Sequence, residues 1–283
     1  MTTTTREREL GLSTVRWLVP VLLLLVGCRS SGPDAVRVAD ALYADGRWEQ
    51  AAAAYQALPD ISESWQAYGA WRAAAIHRDA LKDPERAEAA FAACARRWGE
   101  LEWGYTCQVE LGDLVRDLGR PRAAIDAYRK ALEIRPRGGQ AEHCLLESGR
   151  SYLTIGEPAQ ARVEWDELAR AFPRSPLLPM VAVEAARAYD LEDLHEESLA
   201  AYREAQKRWP EHSSAPLAVY GEAEALEQLG RLTEAQEAFE RALLVHPNPD
   251  AVRLKLERLR NRADRKEQKA TSVPDSGKRY PWR

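Results

Sequence analysis

The sequence predicts an all-α superhelical solenoid of about six helical hairpins, closed by a C-terminal capping helix. Three observations carry this. Aromatic residues recur at Tyr55, Phe91, Tyr128, Trp165, Tyr202 and Phe239, at steps of 36, 37, 37, 37 and 37. Prolines follow at Pro136, Pro173, Pro210 and Pro247, again 37 apart. Ala is abundant and β-branched residues are sparse, which favours helix over sheet. A fixed step of this size marks units that cannot bury their apolar face alone and stack on one another to do so.

Each aromatic sits in the second helix of its unit. Four residues before it stands Ala51, Ala87, Ala124, Ala161, Ser198 or Ala235, and three after it Leu58, Cys94, Ala131, Leu168, Ala205 or Ala242. Those offsets place all three on one helix face. The prolines stand where the second helix must stop, since Pro cannot continue the hydrogen-bond ladder. A first helix is marked by a small residue sixteen positions before each aromatic, at Ala39, Ala75, Gly112, Gly149, Ala186 and Ala223. Small residues there let two helices approach while the aromatic fills the adjoining space. Between the helices lie Gly46, Gly119, Gly156 and Gly230, suited to the positive φ that ends a helix. Lys82 and Asp193 hold that place in units 2 and 5, where the turn is less clearly marked.

Small residue, Gly turn, Ala, aromatic, small residue, Pro: this order resembles the tetratricopeptide repeat. The resemblance covers residues 34–249 and is weakest in units 1 and 2, which lack the closing Pro. It implies a right-handed superhelix with the first helix of each unit on the concave side. The unit is longer than the commoner form through its inter-repeat turn, Phe-Pro-Arg-Ser-Pro at 172–176 and Trp-Pro-Glu-His-Ser at 209–213. In this it is similar to the repeats of envelope proteins such as the barrel-assembly lipoprotein and the Tol–Pal-associated periplasmic protein.

Residues 1–27 read as an export signal, with Arg6, Arg8 and Arg16 before the apolar run 17–27. That run is too short to span a bilayer, which takes about 20 apolar residues. Its end, Leu25-Val26-Gly27-Cys28, resembles the lipobox of bacterial lipoprotein precursors. The resemblance implies cleavage before Cys28, lipid on its thiol and acylation of the new amino terminus, several chains where one would hold only marginally. Arg29, rather than Asp, follows the cysteine. By the same resemblance this implies the outer membrane, with the body facing the periplasm. The segment 28–33 is a tether reaching about 20 Å, so the body works close to the membrane.

At the other end, Val252, Leu256, Leu259 and Ala263 form one apolar stripe over 250–269, a capping helix with a basic outer face. Residues 270–283 have the composition of a disordered tail, with Tyr280 and Trp282 as its aromatic residues. Residues 250–283 carry eleven basic and five acidic residues, whereas 28–249 carry 26 and 37. An acidic body argues against nucleic acid as the partner, since phosphate binding needs clustered cations on the fold.

Three cysteines remain besides Cys28. Cys94 and Cys107 lie symmetrically about a turn near 100–101, so an antiparallel hairpin brings them together as a disulfide. The pair Cys107–Cys144, one repeat apart, would stand beyond the roughly 7 Å limit between Cα atoms. Three buried thiols acting as small apolar residues are the remaining alternative. The five histidines share no metal-ligand spacing, and no phosphate loop or nucleophile–base motif occurs. The expectation is a binding scaffold with no cofactor and no catalytic residues.

The repeat resemblance also implies where a partner sits. Its groove positions map to Asp113 and Arg116 in unit 3 and to Leu146 and Arg150 in unit 4. They continue with Val183, Arg187 and Asp190 in unit 5 and Tyr220, Glu224 and Glu227 in unit 6. Arg150 and Arg187 occupy the same place in successive units, with Asp113 before and Glu224 after, a series suited to a peptide with acidic and basic contacts. The clamp that binds chaperone tails in this family is not matched, because Val109 and Asp113 stand at two of its positions. The expected function is a membrane-tethered adaptor for a protein or peptide partner in outer-membrane or surface-machinery assembly. The alternative is a Tol–Pal-type or cell-wall coordinator in the periplasm without an assembly role.

Overall fold

The computed structural model describes residues 32–58 and 62–271. The readings placed on Cys28, Tyr280 and Trp282 lie outside these residues. Among the described residues there are thirteen α-helices and no strand. They form six consecutive hairpins: α1 (Gly32–Ala44) with α2 (Trp48–Gln56), α3 (Glu63–Asp79) with α4 (Pro84–Trp98), and α5 (Glu102–Asp117) with α6 (Pro121–Ile134). Then follow α7 (Ala141–Thr154) with α8 (Pro158–Ala171), α9 (Leu178–Asp190) with α10 (His195–Arg208), and α11 (Ala215–Gln228) with α12 (Leu232–Val245). Helix α13 (Pro249–Thr271) closes the stack. Each helix packs on the next along the chain, the contact pattern of a superhelical solenoid.

Helix ends follow the residue chemistry. Helices α6, α8, α10 and α12 each stop two residues before Pro136, Pro173, Pro210 or Pro247. Two more proline series mark starts: Pro84, Pro121 and Pro158 open the second helices of units 2 to 4, and Pro179 and Pro216 lie in the first turn of α9 and α11. Proline fits there because its missing N–H has no partner in the first turn anyway. The turn inside every hairpin has one residue in the left-handed region. Gly46, Gly119, Gly156 and Gly230 lie at φ 72° to 78°, and Lys82 and Asp193 adopt the same conformation at 53° and 57°.

The core is the aromatic ladder itself. Five of its six members are at most 1% exposed, and Tyr202 is 4% exposed. The small residues of the first helices are what admit them. A Cβ on Gly112 would lie 2.5 Å from the Tyr128 ring, and one on Gly149 would lie 2.2 Å from the Trp165 ring. At the C-terminal end Val252, Leu256 and Leu259 of α13 bury against Ala238, Phe239 and Ala242 of α12.

Units 2 and 3 join more tightly than the rest. Only Gly99 to Leu101 separate α4 from α5, and Gly104 packs so closely that a Cβ there would meet the Trp98 carbonyl. Cys94 and Cys107 are disulfide-bonded across this junction, their Cα atoms 6.0 Å apart. Cys144 is a free, buried thiol that burial pushes up to about 12.

Candidate partner-binding groove

The first helices of successive units are held in register by side chains that cross between them. In unit 3 the Asp113 carboxylate accepts from the Tyr128 hydroxyl at 2.7 Å and contacts His143 Nε2, from the next unit, at 2.8 Å. Burial alone would raise the Asp113 pKa, but the bonds from His143 and Tyr128 outweigh it and hold it below the usual carboxylate range. Asp113 in turn raises His143, against the effect of that ring's burial. Arg116 pairs with Glu147 of unit 4 at 2.6 Å and with its own neighbour Asp117 at 2.9 Å. Arg150 donates to Glu184 of unit 5 through Nε at 3.1 Å and to Glu147 at 2.9 Å.

Beyond Arg150 an open groove of about 1000 Å³ runs across units 4 to 6. Of the ten residues expected to face a partner, it brings together Arg150, Val183, Arg187, Asp190, Tyr220 and Glu224. The Tyr220 hydroxyl donates to Glu224 at 3.0 Å, and burial raises the Tyr220 pKa further than that carboxylate does. Asp113 and Arg116 stand apart from this groove, in the cluster just described. Glu227 is also outside it, engaged with the cap through Lys255 at 3.7 Å and Arg262 at 3.6 Å.

Leu146 corrects the expectation. It is 5% exposed and belongs to the core with Trp165, Leu178 and Val181. An apolar side chain at that register gains more from the next hairpin stacking over it than from facing water. Its backbone carbonyl also accepts the Trp165 Nε1 hydrogen bond at 3.2 Å.

Several lining residues were not among those expected: Glu184, Tyr202, Leu217, Gly221 and His246. Glu184 had a signal, because Glu110, Glu147 and Glu184 repeat at 37 residues. A second unpredicted feature lies on the first helices of units 2 and 3, where Trp71 stacks on Trp103 with centroids 4.7 Å apart. Tyr68 meets Trp103 edge-on at 5.0 Å. Among the described residues no group of three or more His, Cys, Asp and Glu is placed to hold a metal ion.

A stack of hairpins with a groove on its first helices is the build of a helical-repeat scaffold. Comparison with known proteins identifies the repeat. The tetratricopeptide repeat family model matches three overlapping stretches, 109–176, 146–213 and 183–252, which start 37 residues apart like the aromatic ladder. They span half of the chain, which belongs to the tetratricopeptide repeat family, whose members bind protein partners. No curated protein matches the sequence. Solved structures share the fold at low identity. A tetratricopeptide repeat protein from Parabacteroides merdae is 14% identical over 87% of this chain and 94% of its own, with a TM-score of 0.55. PilF of Pseudomonas aeruginosa is 13% identical over 82% and 97%, with a TM-score of 0.53. PilW, a type IV pilus biogenesis factor, is 17% identical over 80% and 98%, also at 0.53.

Proposed function

We propose that this protein is a lipid-anchored adaptor of the bacterial cell envelope, tethered at the outer membrane through Cys28 and facing the periplasm. Its groove over units 4 to 6 holds a protein partner during assembly of outer-membrane or surface machinery. It acts as a scaffold and not as an enzyme. The observation that carries the binding role is the groove of about 1000 Å³, with apolar Val183 and Leu217 beside charged Arg187 and Glu224. A floor of that kind offers both contact area and orientation to an extended segment. The carboxylates of the first helices are mostly engaged by arginines, which supports a structural use for them over acid–base chemistry. The place in the cell rests on Leu25-Val26-Gly27-Cys28. The assembly role is supported by the shared fold with PilW, itself a pilus biogenesis factor.

Two measurements test this. Palmitate labelling should be lost in Cys28→Ala, and label that persists there sinks the anchor. A photo-crosslinker at Val183 or Tyr220 should capture an envelope assembly protein in cells. Capture of soluble wall enzymes alone would move the reading to the coordinator alternative.

A further inference from the structure

From unit 2 onward, ion pairs between first helices form a ladder with one rung missing. Arg78 pairs with Glu110 between units 2 and 3, Arg116 with Glu147 between units 3 and 4, and Arg150 with Glu184 between units 4 and 5. The three acceptors are spaced by 37 residues, whereas the donors are not, so it is the carboxylate's place that belongs to the repeat. The next residue in that series is Gly221. Arg187, one repeat after Arg150, is therefore left exposed, with no ion-pair or hydrogen-bond partner among the described residues. Beyond the gap the sign reverses, and Glu224 accepts from Lys255 of the cap at 2.9 Å.

The gap is enforced by packing. A Cβ at Gly221 would lie 2.2 Å from the Tyr202 ring, and Tyr202 is a buried member of the aromatic ladder. No acidic side chain can stand at 221 while Tyr202 keeps its place. The missing carboxylate and the open groove coincide, since Arg187 and Gly221 both line it.

We propose that the partner supplies this carboxylate. The groove takes an extended segment of a partner protein whose Asp or Glu pairs with Arg187, while a neighbouring apolar side chain rests on Val183 and on Leu217, which is 45% exposed. This rests on the groove being the partner site and names the chemistry it selects. A guanidinium offers a carboxylate two parallel hydrogen bonds, a geometry that fixes orientation as well as charge. Glu224, on the first helix of unit 6, sets the direction, because an acidic residue of the partner there would have to compete with it for Lys255. The segment therefore lies with its acidic residue towards unit 5 and a neutral or basic one towards unit 6.

Selection of a displayed library of random short peptides on the full chain, in parallel with Arg187→Gln and Arg187→Glu, tests this. Arg187 makes no ion pair or hydrogen bond among the described residues, so Arg187→Gln should keep the wild-type circular dichroism and melting temperature. Arg187→Glu, one turn from Glu184 and Asp190, should keep the circular dichroism and melt slightly lower. The expected result is an Asp or Glu at a constant distance from an apolar residue in the wild-type selection. Those peptides should bind Arg187→Gln roughly tenfold more weakly or worse, and Arg187→Glu should select Lys or Arg instead. Peptides that crosslink to Val183 or Tyr220 but are indifferent to Arg187 would overturn this inference and leave the groove as partner site. No peptide at Val183 or Tyr220 would overturn both. Displacement of the selected peptides by a synthetic peptide of residues 272–283 would overturn the partner as occupant, giving the groove to the chain's own tail.

Discussion

Lys82 and Asp193 adopt the same left-handed turn conformation, at φ 53° and 57°, although neither is the glycine that the other four hairpins use there. An L-residue in this region brings its Cβ against the following carbonyl, at about 1–2 kcal/mol. Lys82→Gly and Asp193→Gly are each expected to stabilise the protein by about 0.5–1 kcal/mol, the larger chain entropy of glycine offsetting part of the relief. Urea unfolding followed by circular dichroism reads this. A loss of stability in both variants would contradict it.

Gly149 should tolerate no side chain. Its absent Cβ would lie 2.2 Å from the Trp165 indole, so Gly149→Ala is expected to cost about 1–3 kcal/mol through overpacking. Gly156→Ser, at the adjoining turn, meets no neighbouring atom and should lose only the backbone cost of its positive φ, about 1 kcal/mol. A thermal melt in which the two fall together would show that the indole moves aside.

The His143–Asp113 pair makes stability depend on pH. His143 titrates above its ordinary value when folded, so its contribution is complete below about pH 6.5 and is lost as pH rises through the raised folded value. Asp113 titrates below its ordinary value, so its contribution is lost only in acid. The His143 side chain is 41% exposed, which limits the effect to about 0.2–1 kcal/mol. Between about pH 6 and pH 8 the wild type should therefore lose slightly more stability than His143→Gln. Identical pH profiles for the two would remove the pair from the account.

Reduction of Cys94–Cys107 should weaken the junction of units 2 and 3. The bond closes a loop between residues 13 apart, and chain-entropy arguments assign a link of that size about 3 kcal/mol. Hydrogen exchange after treatment with reductant should quicken in α3 to α5 before it does in α9 to α12, since each repeat feels mainly its neighbours. Cys144→Ala, which removes the remaining thiol without burying a polar group, should leave this response unchanged. Uniform quickening along the chain would mean that the stack melts as one unit.

The hairpin stack was legible because its signals are periodic. Tyr128, Trp165 and Pro173 each find a copy one repeat away, and no long-range contact is needed to read them. The turns at Lys82 and Asp193 were less legible, because their left-handed backbone is imposed by the helices on either side. Leu146 misled because a groove register counts positions along one helix, while burial is decided by the hairpin stacked over it. Gly221 was silent for a related reason. A glycine in a helix announces a close approach but does not say that an ion pair has been dropped from a series.

Stacking is indifferent to which molecule provides the next hairpin, and this gives α13 a second importance. The surface of α12 that it covers, around Ala238, Phe239 and Ala242, would otherwise be an apolar face open to a further hairpin, including one from another molecule. Such a head-to-tail contact has no reason to close on itself, and repeated it builds a filament. By burying Val252, Leu256 and Leu259 there, α13 covers the face on which such growth would begin.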